Sequence, residues 1–196
     1  MNDLSIYFTP LTSEDKDFKE EQMGQVLIAN HGSFPKIKPD SIAIFTVPEY
    51  RGDSSEPSIE NPSRFRDELL HLSRSKNWKK NIYDLGTILP GNDLKDTYFA
   101  VSSVVSELIK YGVLPVMVGG SQDLVIAAYD AYAKLEQLVN ICSIDHCLDL
   151  GGPESQVDSD AYLTSLMLKR PCYLFNHANI GCLLYTSDAA DELRSV

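Results

Sequence analysis

Positive charge is scarce in this 196-residue chain, where 17 Lys and Arg stand against 28 Asp and Glu for a formal net charge of −11. Affinity for a phosphate backbone comes from clustered cations that displace counterions, so no nucleic-acid partner is expected. Long apolar runs are missing too. No stretch approaches the roughly 18 apolar residues of a membrane helix, and Met1-Asn2-Asp3-Leu4 opens without a basic and apolar leader, so a cytoplasmic protein with no membrane partner is expected. Cysteine is sparse, and Cys142, Cys147, Cys172 and Cys182 show no C-x-x-C spacing. Three of them fall in or beside apolar, strand-like runs, where a reduced thiol behaves as a small hydrophobe, which argues against a disulfide framework. Neither G-x-G-x-x-G after a strand nor G-x-x-x-x-G-K-[ST] occurs, so a nucleotide-binding Rossmann protein is disfavoured.

What is present is a globular balance, 43% hydrophobic and 23% charged, enough for one domain. Residues 1–40 mix a short apolar run, Leu4 to Phe8, with a charged run from Ser13 to Glu21, and are expected to form an N-terminal extension. From Ser41 the pattern changes. Ser41 to Val47 is a continuous β-favouring run of the kind buried on both faces of a parallel sheet. A helix follows, with Ser63 as N-cap and Phe65, Leu69 and Leu72 on one face. Asn81–Leu85, Val113–Val118, Val139–Ile144 and Cys172–Phe175 then alternate, as strands, with helices over Thr97–Lys110, Gln122–Lys134 and Asp160–Lys169. Such alternation predicts an α/β fold whose mainly parallel strands are joined by right-handed crossover helices.

The end of the chain follows a different logic. Cys182-Leu183-Leu184-Tyr185-Thr186-Ser187 is the translation of TGT-CTC-TTA-TAC-ACA-TCT, which resembles the transposon end used in DNA-library preparation. Residues 182–196 are therefore expected to be a non-native, adaptor-derived tail and are set apart from fold reasoning. The domain proper is expected over residues 41–181, incomplete at its C-terminus.

Two segments carry chemistry: Val118-Gly119-Gly120-Ser121-Gln122-Asp123 and Ser143-Ile144-Asp145-His146-Cys147-Leu148-Asp149. Both follow an expected strand, at the edge where parallel sheets hold their ligands. Gly119-Gly120 permits a sharp turn, and Ser121 is placed to cap the next helix. Asp145 and Asp149 stand four residues apart, so two carboxylates converge on one ion if the loop curls back.

These segments resemble the metal motifs of the arginase, agmatinase and formimidoylglutamase superfamily, Gly-Gly-Asp-His-Ser and Asp-Ala-His-x-Asp. The likeness is nearest to formimidoylglutamase-like sequences that carry Gly-Gly-Ser-Gln-Asp. It implies a three-layer α/β/α, arginase-like fold. It also makes Asp145 and Asp149 retained metal-ligand positions, Gln122 and Cys147 substituted ones, and His146 a substitute imidazole one place early. A third family segment, Asp-x-Asp, would lie beyond Gly181. In that family two divalent ions, usually manganese, lower the pKa of a water that attacks an amidine or guanidine carbon. The resemblance thus implies Mn(2+), a small-molecule amidine substrate such as N-formimidoyl-L-glutamate, and a homo-oligomer. The missing imidazoles set an alternative beside the hydrolase: a metal-poor pseudoenzyme acting as a binding or oligomer subunit.

Overall fold

The computed structural model describes residues 3–12, 17–53, 62–151 and 158–182. Its strands are β1 (Leu27–Ala29), β2 (Ser41–Val47), β3 (Ile82–Thr87), β4 (Val113–Gly119), β5 (Val139–Ile144) and β6 (Leu174–Ile180). Its α-helices are α1 (Pro62–His71), α2 (Leu94–Lys110), α3 (Leu124–Lys134) and α4 (Tyr162–Leu168). Four strands form one sheet in the order β1-β3-β2-β4, and β5 pairs with β6 in a second; every pairing between these strands is parallel.

Side chains alternate across a strand, and β2 shows how that builds two layers. Ala43, Phe45 and Val47 point to the face where Val101, Val104, Val105 and Leu108 of α2 pack with Leu124, Ala127 and Ala131 of α3. Ile42 and Ile44 point the other way, into a smaller cluster with Leu69 of α1, Met23, Ile82, Val116 and Val118. The second sheet is covered on the α2–α3 side, where Ile126 and Tyr129 of α3 meet Tyr162, Leu163 and Leu166 of α4. The result is the expected α/β/α layering around a parallel sheet.

Local signals place the ends of α2. Asp93 and Asp96 form a reciprocal capping box that starts the helix three residues before the expected Thr97. Gly112, at φ +73°, lets the chain turn out into β4. The segment expected as an extension contributes to the same unit. Leu4, Phe8 and Ile37 are buried in the main core, and β1 pairs with β3 as an edge strand, so packing begins well before residue 41. Asn61 and the Ser63 side chain, expected to start α1, lie outside the described residues, as does the tail after Cys182.

The cysteines depart from expectation. Cys142, Cys147 and Cys172 are exposed, and only Cys182 is buried among the four. Cys142 lies on β5, whose outward face carries no helix among the described residues, so an apolar position there remains open to solvent.

Candidate metal site at the carboxyl edge

Both candidate segments emerge at the carboxyl ends of β4 and β5. After β4 the backbone presses against Glu49: a Cβ on Gly120 would stand 1.9 Å from the Glu49 carbonyl oxygen, so only glycine fits. Ser121 does not cap α3. Its N–H and hydroxyl both donate to that Glu49 carbonyl, at 2.8 and 3.1 Å, because the tight turn delivers the side chain there first.

The turn carries Gln122 across to the next strand, where its Nε2 donates to Asp145 Oδ2 at 2.9 Å. The other carboxylate oxygen of Asp145 accepts the Cys147 backbone N–H at 3.1 Å and lies 3.0 Å from His146 Nδ1. The Cys147 amide, then Gln122 and the neighbouring His146, hold the Asp145 carboxyl below its ordinary value. His146 itself points outward, its side chain 76% exposed.

Asp149 has the opposite environment. It sits at φ +48°, and its Oδ2 is buried without a hydrogen-bond partner. Burial first, then the charges of Asp145 and Asp160, push its carboxyl above the usual range. Desolvation and the charges of Asp149 and Asp145 likewise push the Cys147 thiol up, which keeps it protonated.

The structure thus brings Gln122 and Asp145 together, sets His146 and Cys147 beside them, and leaves Asp149 Oδ2 without a hydrogen-bond partner among the described residues. This donor set does not fit a manganese pair. Among the described residues no three His, Cys, Asp or Glu side chains are grouped to hold an ion. Gln122 turns toward Asp145 an amide nitrogen that has no lone pair for a metal, which leaves it only a neutral oxygen to offer in place of an imidazole, and a protonated thiol is a poor ligand for a hard cation.

A second polar cluster, unforeseen from the sequence, supports the same edge. Glu49 is 1% exposed and accepts from Arg51 Nε, Arg51 Nη2 and Thr97 Oγ1 at 2.9, 2.6 and 2.8 Å. Arg51 also donates to the carbonyls of Asn92 and Gly91. Asp123, wholly buried, accepts from the Tyr98 hydroxyl and lies so close to Gly52 that a Cβ there would stand 2.1 Å from its carboxylate. The one available signal was a Glu and an Arg directly after an apolar strand, flanked by Pro48 and Gly52. On β6, His177 Nε2 lies 3.0 Å from Ser143 Oγ, a contact with no motif to announce it.

Solved structures with the same architecture are numerous. Formimidoylglutamase from Bacillus subtilis superposes with a TM-score of 0.71 at 15% identity, over 96% of this chain and 61% of that one. The chain has an arginase-type fold. A manganese-containing formiminoglutamase from Trypanosoma cruzi gives 0.63 at 20% identity, over 78% of this chain and 58% of that one. Arginase from Medicago truncatula gives 0.61 at 19%, over 79% and 54%. The chain therefore spans between 54% and 61% of the length of these three solved structures. No family model and no curated protein sequence matches it.

The Asp149 environment has a measurable consequence. A carboxyl raised in the fold binds its proton more readily there than in the unfolded chain, so its charged form weakens the fold at neutral pH. That penalty fades as pH falls through the folded-state pKa. Asp149→Asn is expected to raise stability at pH 7 by on the order of 1 kcal/mol and to change it little in acid. Denaturant unfolding of the metal-free complete protein at two pH values checks this; a loss of stability at pH 7 would show that Asp149 has a partner.

Proposed function

We propose that this chain is the N-terminal part of a ureohydrolase-fold protein in which hydrogen bonds have taken the place of the metal pair, and which acts as a small-molecule-binding or oligomer subunit. The observation that carries this reading is the Gln122 amide donating to Asp145. A carboxylate that accepts from an amide, a backbone N–H and a neighbouring imidazole is satisfied without a cation. Gln122 occupies the position where the family resemblance puts a histidine ligand, so the substitution replaces coordination with a neutral contact.

A second reading is an active hydrolase of a linear amidine, with N-formimidoyl-L-glutamate as substrate and manganese as cofactor. The orphaned, buried Asp149 oxygen favours it, since a buried carboxylate is relieved by a cation as well as by a proton. One experiment separates the two. The complete protein, purified without chelators, is expected to carry well under one equivalent of manganese and to leave N-formimidoyl-L-glutamate unhydrolysed. Stoichiometric manganese with turnover abolished by Asp145→Ala would establish the hydrolase and overturn the first reading.

A further inference from the structure

A cavity of about 730 Å³ opens between α2, α3 and the segment that joins α4 to β6, and none of Gln122, Asp145, His146, Cys147 and Asp149 lines it. Residue spacing builds it. Lys95, Tyr98, Phe99 and Ser102 recur three and four positions apart and so share one face of α2. On α3, Tyr129, Asp130, Ala133 and Lys134 follow the same rule and line the cavity too. Small side chains at Ser102 and Ala133 leave the room between the two helices.

The walls are anchored from within the fold. The Tyr98 hydroxyl donates to buried Asp123, and the Tyr129 hydroxyl accepts the Tyr173 N–H at 2.7 Å, so each ring is tied at its polar end and lends the cavity its apolar body. Cations stand on the aromatic rings: Lys169 Nζ lies 5.6 Å from the ring centroid of Tyr129, and Lys134 Nζ 5.1 Å from that of Phe99, which is 63% exposed. Arg170 donates from Nη1 to the carbonyls of Lys169 and Met167, at 2.9 and 3.1 Å, and its Nε and Nη2 have no partner among the described residues. Of the two acids in the lining, Asp130 is paired by Lys169, which leaves Glu136 alone against Lys95, Lys134 and Arg170. In a chain of net charge −11, this local excess of positive charge concentrates anions at one place. An adjoining chamber of about 500 Å³ shares Lys95, Tyr98, Asp130 and Lys169 with the first and adds the apolar side chains of Leu94, Ile126 and Leu168.

We propose that this cavity binds a small aromatic carboxylate or sulfonate, its acid group held by the lining cations and its ring packed on Phe99. The ligand class follows from what each part of the cavity requires. An inorganic anion would meet the cations but leave Phe99 and the apolar chamber in water, and a neutral ring would cover the aromatics but leave the positive charge uncompensated. A ring that carries an acid satisfies both. The volume falls in the range of about 300–1,000 Å³ usual for small-molecule sites, and walls already fixed by hydrogen bonds lower the ordering cost of binding. The site needs no metal and is independent of the function proposed above.

The test uses the complete protein and two fluorescent probes. Anilinonaphthalene sulfonate should bind saturably at one site per chain, and its sulfonate-free parent, phenylnaphthylamine, at least about tenfold more weakly, since only the first engages the cations. Lys134→Ala combined with Arg170→Ala should weaken the sulfonate about tenfold or more while leaving the unfolding transition in place, because both side chains are exposed. Phe99→Ala should weaken both probes. On irradiation, azidobenzoate should label the unmodified protein within α2, α3 or residues 169–173, a readout that does not depend on any variant folding. Equal affinity for the two probes would reduce the site to an apolar patch and overturn the proposal. So would undiminished sulfonate binding in the double variant, labelling confined to other segments, or the absence of saturable binding, which is the result if a second copy covers this face. Manganese content and amidine turnover decide the reading of the carboxyl edge and do not enter this test.

Discussion

Manganese affinity in the complete protein is expected to rise on the order of a hundredfold when Gln122→His and Cys147→His are combined. Outer-shell contacts alone change metal affinity 10–100-fold, so restoring two direct ligands should do at least as much. The Gln122 change removes the amide that occupies Asp145 Oδ2 and supplies an imidazole in its place. The Cys147 change replaces a thiol that nearby carboxylates keep protonated. Either change alone should give much less, because the first leaves the thiol and the second leaves Asp145 satisfied by the amide; ligands of one cluster are not additive. Bound cation should also lower the Asp149 carboxyl, which burial and Asp145 now raise. Calorimetric titration with manganese checks this. A double variant that binds no better than the unmodified protein would mean that the loop backbone, and not the two side chains, has lost the site.

The alternation of strands and helices was legible because each β-favouring run is closed by a turn residue and each helix carries one apolar face. Ser41–Val47 matches β2 to the residue, since its flanks change composition abruptly. The second sheet was less legible: β6 begins at Leu174 and runs to Ile180 through Asn176, His177 and Asn179, a polar pattern that hides a strand. β1 was missed because three residues, Leu27–Ala29, carry too little periodicity to stand out, although pairing with β3 fixes them. At the site, the motif spacing located Gln122 and Asp145, but the direction of the contact between them was invisible. An amide donating to a carboxylate and an amide oxygen ligating an ion have the same letters. Likewise nothing in Glu49-Tyr50-Arg51 says whether the charges face water or one another; only the depth of β2 in the core decides it.

That depth makes Glu49 a severe position. Glu49→Ala is expected to destabilise the complete protein by about 3 kcal/mol, toward the low end for breaking a buried ion pair because Arg51 is 42% exposed and regains water. The same loss should be seen by calorimetry as a lower Tm for the Glu49→Ala variant. Glu49→Gln keeps the volume and one acceptor oxygen and should cost about 1 kcal/mol. Arg51→Ala should cost more than that, because it strands the 1%-exposed carboxylate without its cation. The pH dependence distinguishes a charge effect from lost packing. Burial raises the Glu49 carboxyl, but the bonds from Arg51 and Thr97 outweigh it and hold the group below its ordinary value. Its stabilisation is therefore fully present above the unfolded-state pKa and is lost as pH falls through the lower, folded-state pKa. Glu49→Ala and Glu49→Gln should both flatten the acid limb of the stability curve, whereas a packing defect elsewhere in the same core, such as Phe45→Leu, should shift the whole curve down without changing its slope. A Glu49→Ala protein within about 0.5 kcal/mol of the unmodified one, the range of an ordinary surface change, would show that the ion pair holds nothing in place.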